Sequence, residues 1–140
     1  MFKKLLNPGN HSSSTSFGLL LLRAGVGLMM LTHGYPKFSN LIAGNFQFGD
    51  PIGLGVEVSL ILAVLAEFLC SILLIVGLFS RFALVPLMVT MAVALFVVHI
   101  SDPFGTQEKA AMYLLTFFFL FITGPGKYSL DQKFFGKRTF

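Results

Sequence analysis

The chain has 140 residues, 55% hydrophobic and only 11% charged, with a mean hydropathy of +0.82. A soluble domain carries about a quarter charged residues, so composition excludes an ordinary soluble protein and points to the membrane class. The net charge of +4 and pI of about 9.5 come from basic residues that flank apolar runs. They form no stripe interleaved with aromatics, so nucleic acid is excluded as a partner in favour of a lipid bilayer.

Residues 1–15 read as a polar cytoplasmic leader, with Lys3 and Lys4 ahead of a Ser/Thr-rich stretch. The apolar run that begins at Phe17 contains Arg23 and is followed by no small-x-small cleavage site, so it reads as a retained span and not a signal peptide. The membrane domain, 16–126, holds four predicted spans at about 16–34, 53–78, 81–100 and 107–123. Each is long enough to cross a hydrocarbon core of roughly 30 Å at about 1.5 Å per residue. Backbone groups in hydrocarbon must be satisfied within the segment, so the spans are helices.

Punctuation marks the ends. Gly34-Tyr35-Pro36 is expected to stop the first span and Gly77 the second. Ser80 and Thr106 are candidate N-caps of the third and fourth, and Gly124-Pro125-Gly126 ends the fourth. Residues 127–140 form a basic interfacial tail, in which Ser129 to Gln132 has capping-box spacing and opens a short helix. The connection 39–52 mixes apolar residues with Gly44, Gly49 and Asp50-Pro51, and reads as an interfacial loop, with a lid over the bundle mouth as the alternative.

Flanking basic residues set orientation. Lys3, Lys4, Arg81, Lys127, Lys133, Lys137 and Arg138 fall on one side, against Lys37 and Lys109 on the other. Both termini are therefore expected in the cytoplasm. The fold class is all-α: an integral membrane, antiparallel four-helix bundle, multi-pass in the cell (inner) membrane.

An ionisable residue inside a span costs roughly 3 kcal/mol on insertion scales, so it usually faces the bundle interior. Arg23 and Glu67 are expected to be a buried polar pair, because the ten-residue spacings Arg23–His33 and Glu57–Glu67 match in antiparallel neighbours. Gly27, one turn from Arg23, allows a neighbouring helix to approach. The outer end gathers His33, Lys37, Glu57, His99 and Glu108, one or more from each span, as ligand-binding candidates that could present a histidine and a carboxylate to an organic ligand. The alternative for these residues is contact with water and headgroups. No metal-ligand motif is present, and no cofactor fingerprint or cysteine cluster accompanies the single Cys70, so no intrinsic cofactor is expected.

Several segments resemble the DoxX family of small four-span membrane proteins. They are Leu22-Arg23-Ala24-Gly25-Val26-Gly27 with Gly34-Tyr35-Pro36-Lys37, Glu67 followed by Gly77-Leu78-Phe79-Ser80-Arg81, and Gly124-Pro125-Gly126-Lys127-Tyr128-Ser129-Leu130-Asp131. The resemblance spans about 16–131 and places Arg23, Lys37, Glu67 and Arg81 on family positions, whereas His33, Glu57 and His99 rest on depth alone. It implies the membrane subunit of a quinone-linked redox complex, with quinone as the ligand, a redox partner protein and no stand-alone activity. Two other readings stay open: a small-solute or proton-coupled transporter, which requires a homo-oligomer to enclose a path, and a membrane assembly factor.

Overall fold

The computed structural model describes residues 5–136, and among them the regular structure is helical, with no strands. Four long helices follow one another: α1 Ser13–Ile42, α2 Val56–Val76, α3 Ser80–Val98 and α4 Phe104–Thr123. A short α5, Leu130–Phe135, closes the described chain. The first three are long and apolar enough to cross a membrane. The fourth opens with Gln107, Glu108 and Lys109, which dilute its apolar stretch. Lys3, Lys4, Lys137 and Arg138, part of the basis for the expected orientation, lie outside the described residues.

The largest departure from expectation is the length of α1. Gly34-Tyr35-Pro36 does not end it; the helix continues through Pro36 to Ile42. In an apolar setting an unwound backbone would strand several polar groups, while a proline within a helix removes one hydrogen bond, so the helix persists. Gly34 has another role. A Cβ there would run into the backbone of Glu67 and Phe68, so this glycine is a notch into which α2 packs. The same close packing puts Gly27 against Ser71 and Ile75, and Gly77 against the Arg23 guanidinium. Residue numbers thus fall along α2 as they rise along α1, with 23 opposite 77 and 34 opposite 67.

α1 packs mainly on α2, and α3 packs most extensively on α4. The shared core is Leu19, Val26 and Met30 from α1, Leu74 from α2, Leu84, Leu87 and Met91 from α3, and Phe117 and Leu120 from α4. Large apolar side chains such as Leu21, Leu28, Val89, Leu115 and Phe118 point outward, as expected where lipid is the solvent.

The two ends differ in construction. At the turn end, α2 stops at Gly77 (φ 72°), and Phe79 adopts φ 48°, a left-handed conformation that costs a non-glycine residue roughly 1–3 kcal/mol. Ser80 is not the cap of α3, and its buried hydroxyl finds no partner among the described residues. The Asp131 carboxylate accepts from the Phe79 and Ser80 amides at 2.7 and 2.9 Å instead. Thr106 likewise does not cap α4, which starts earlier, after Pro103, with no side-chain cap. Ser129 does cap α5, accepting from the Gln132 amide at 3.1 Å.

The described part of the leader is tied down at this end. Pro8 is buried and its carbonyl accepts from the Gly126 amide, His11 Nε2 lies 2.9 Å from the Thr123 carbonyl, and Ser12 caps α1. At the opposite, loop end lie the 43–55 connection and the short link from α3 to α4.

Candidate functional site

The ten-residue shift in register moves the charges to new partners. Arg23 does not pair with Glu67. It is 1% exposed and its Nη2 donates to the Tyr128 carbonyl at 2.7 Å, at the turn end. Glu67 lies opposite Gly34, about 15 Å farther along the helix axis. The expected pairing failed because equal ten-residue spacings on two helices do not fix their register, which the close approach of Gly34 to Glu67 sets about ten residues away from the expected one.

The partner of Glu67 is Lys37. Its Nζ lies 2.5 Å from Glu67 Oε1, with the carboxylate almost wholly buried and the lysine about one-quarter exposed. Lys37 reaches Glu67 because α1 runs on past Pro36. The stacked rings of Phe38 and Phe68, with centroids 4.2 Å apart, brace the same stretch of the interface. Lys37 also sits 5.5 Å from the centroid of Phe48, in the 43–55 connection, a cation–π distance.

Beside this pair is a cavity of about 680 Å³ between α2 and α3. Its walls include Ala63 and Ala94, whose small side chains leave the space, and Thr90. Two stretches of π-helix, Leu65–Cys70 in α2 and Ala94–Val98 in α3, border it. Such wide turns are rare and are often found at functional sites. The rim residues Leu62, Val89 and Val97 lie on the outer surface of their helices.

The connection is more than a surface loop, because Phe48 to Ile52 lines the cavity mouth. Asp50 holds that segment in place. Its carboxylate accepts from the Leu54 and Gly55 amides and the Ser59 hydroxyl, each at 2.9 Å. These bonds, led by that from Gly55, hold the carboxyl below the ordinary aspartate range.

The predicted outer cluster is divided. Lys37 and His99 line the cavity with Glu67. His99 Nδ1 lies 2.7 Å from Asp102 Oδ2. His33 faces α4 instead, edge-on to Tyr113 with centroids 6.0 Å apart, in a separate pocket of about 320 Å³ that includes Lys109. Glu57 and Glu108 are exposed and line neither space. Sharing a depth did not bring these groups together, because each points along its own helix face. Among the described residues no three His, Cys, Asp or Glu gather as a metal would require.

Sequence reasoning missed Asp50, Phe48 and Asp131. The pattern Asp50-Pro51 followed by Gly53 and Gly55 was a legible signal for an aspartate-closed turn. Nothing local marked Asp131 as the cap of a helix fifty residues away.

One chemical feature separates the cavity pair from an ordinary ion pair. Glu67 Oε2 is buried and has no hydrogen-bond partner among the described residues. A carboxylate oxygen left unpaired in an apolar setting is costly.

Comparisons place the chain among known proteins. The DoxX family model matches residues 18–100. An uncharacterized protein of Haemophilus influenzae is 37% identical over 130 residues, covering 85% of this chain and 92% of that protein. The Bacillus subtilis protein CatD, whose name carries a provisional assignment as an oxidoreductase, is 33% identical over 129 residues, covering 91% of this chain and 95% of its own. No solved structure matches. The family match over most of α1 to α3, together with two relatives aligned over nearly their full length, establishes that the chain belongs to the DoxX family.

Proposed function

We propose that the protein is the membrane subunit of a quinone-linked redox complex and holds a lipophilic ligand in the cavity beside Lys37 and Glu67. In this reading all four long helices span the cell membrane as an antiparallel bundle, with both termini cytoplasmic and the 43–55 connection outside. The observation that carries it is the cavity itself: about 680 Å³, walled mainly by apolar side chains, with one buried carboxylate that has an oxygen to spare. A site for a small organic ligand has this make-up, an apolar body with a few placed polar groups.

The apolar rim of Leu62, Val89 and Val97 suits a ligand that arrives from the bilayer. Lys37 and Glu67 supply a donor and an acceptor for its polar head. A quinone, in its oxidised or its reduced form, fits these residues, and when bound it would supply the electron-carrying chemistry that the chain's own side chains lack. The residues themselves bind, orient and shield. Phe48 and the Asp50-closed turn cover the mouth, and Ala63 and Ala94 make room. The oxidoreductase name of the Bacillus subtilis relative supports the redox direction, and a partner protein would carry any further redox centre.

The test is organic extraction and native mass spectrometry of protein purified in gentle detergent. A quinone at near-stoichiometric amount is expected, with loss of that ligand in Ala63→Phe, which fills the cavity. Purified protein that carries no quinone, and takes none up from quinone-doped liposomes, would overturn the reading. Impermeant thiol labelling at Asn45→Cys but not Ser13→Cys in intact cells, in a Cys70→Ser background, is the expected signature of the orientation.

A further inference from the structure

The polar groups of the cavity restrict what its ligand offers. Asp50 is fully engaged: one carboxylate oxygen accepts from Leu54 and Ser59 and the other from Gly55. The Ser59 hydroxyl is spent on Asp50, and His99 Nδ1 on Asp102. Glu67 Oε1 is held by Lys37. The Thr90 hydroxyl and His99 Nε2 also line the cavity, but of its lining residues the one with a buried side-chain atom that has no hydrogen-bond partner among the described residues is Glu67, 3% exposed, through Oε2. An ion-paired carboxylate only accepts. A ligand carbonyl also only accepts: it can take a remaining Lys37 N–H, but it leaves Oε2 unpaired. A hydroxyl does both jobs: it donates to Oε2 and accepts from a remaining Lys37 N–H.

We infer that the cavity selects a ligand bearing a hydroxyl on an apolar body, and so, within the redox reading, the hydroquinone over the quinone. The inference rests on the reading of the cavity as a lipophilic-ligand site, and it adds which chemical form that site holds. Selection follows from the asymmetry of buried hydrogen bonding. A site built around an acceptor rejects an analogue that lacks the matching donor, because the analogue strips water from the acceptor and returns nothing.

The experiment compares three probes of one shape on the full chain in nanodiscs: a short-chain alkyl hydroquinone kept reduced under anaerobic conditions, its quinone, and its dimethyl ether. The ether keeps the ring and the oxygens and carries a methyl in place of each hydroxyl hydrogen, so the quinone, which adds no bulk, is the control for size. The hydroquinone is expected to bind at least about tenfold more tightly than either of the others. In Glu67→Gln the amide can turn an N–H toward the ligand, so the ratio of hydroquinone to quinone affinity is expected to fall to about one or to invert. The wild-type comparison decides the matter without any variant. Equal binding of all three probes overturns the hydroxyl selection and leaves a lipophilic site standing. Binding of none overturns both.

Discussion

The turn end and the cavity both bury charge, and they do so for different ends. At the turn end the hydrogen-bond partners of the charged groups are backbone atoms of the helix ends and of the segments that join them. Arg23 donates to Tyr128, and Arg81 to the Phe121 and Ile122 carbonyls and to the Asn7 carbonyl. Asp131 receives the Phe79 and Ser80 amides, its own amide reaches the Gly77 carbonyl, and it interacts electrostatically with both arginines. These charges stitch the leader, the α2–α3 turn and the link 124–129 between α4 and α5 together where backbone breaks would otherwise leave polar groups unmet. At the cavity, Lys37 meets Glu67 side chain to side chain, next to open volume, and one oxygen is left over. Arg23 also keeps Nε and Nη1 without partners among the described residues, yet it lines neither of the two cavities. A buried charge answered by chain ends reads as structure; one left half-answered beside a cavity reads as a site.

The sharpest way to break this contrast is Asp131→Ala. It removes the two hydrogen bonds that the carboxylate accepts from the Phe79 and Ser80 amides and an opposite charge near Arg23 and Arg81, a change expected to cost about 3–5 kcal/mol, since a hydrogen bond to a charged group is worth about 1.5–3 kcal/mol. Thermal unfolding in detergent measures it, and ligand retention below the melting temperature is expected to persist. A loss no larger than that of Glu67→Gln would erase the distinction between the two ends.

The next effect is at the cavity pair. Lys37→Met leaves the Glu67 carboxylate buried with neither oxygen paired and is expected to cost about 1–3 kcal/mol, with part of the loss recovered in Lys37→Met/Glu67→Gln. Arg23→Met and Glu67→Gln are expected to add within about 0.5 kcal/mol, because these residues are too far apart to interact. Coupling above that value in the Arg23/Glu67 cycle would bring the two back into one register.

The smallest effect concerns the turn over the cavity mouth. The folded state holds the Asp50 carboxyl below its ordinary range through the Gly55, Ser59 and Leu54 bonds. Its contribution is therefore complete above the unfolded-state value of about 3.9 and is lost as pH falls through the lower folded value. The protection of the Leu54 and Gly55 amides, taken as their exchange rate relative to the intrinsic rate at each pH, is expected to be high at neutral pH, to fall below about pH 4, and to lose that pH dependence in Asp50→Asn. Unchanged protection down to strongly acid pH would remove Asp50 from its role as the clasp.

Much of the architecture is legible in the amino-acid order, because it rests on local physics. Long apolar runs make helices wherever water is absent, Gly77 and Gly124 end two of them, and Ser129 opens the last. That Arg23 and Glu67 would find protein partners followed from the cost of charge in hydrocarbon alone, whereas Lys37, beyond the expected end of the first span, reads from the sequence as a flanking charge and ligand candidate. The stop expected at Gly34-Tyr35-Pro36 failed because turn signals learned from watery surroundings lose their force where unwinding has no solvent to meet it.

Only the tertiary structure decided which cation meets which carboxylate. Register between two helices is a long-range quantity. It was set here by where Gly34 lets the Glu67 backbone approach and by how far α1 runs past Pro36, and a shift of ten residues in register exchanges one partner for another. The cap of α3 by Asp131, the fold of Phe48 to Ile52 over the cavity and the spare oxygen of Glu67 belong to the same class. Each depends on distance in space between residues far apart along the chain, which composition and periodicity do not encode.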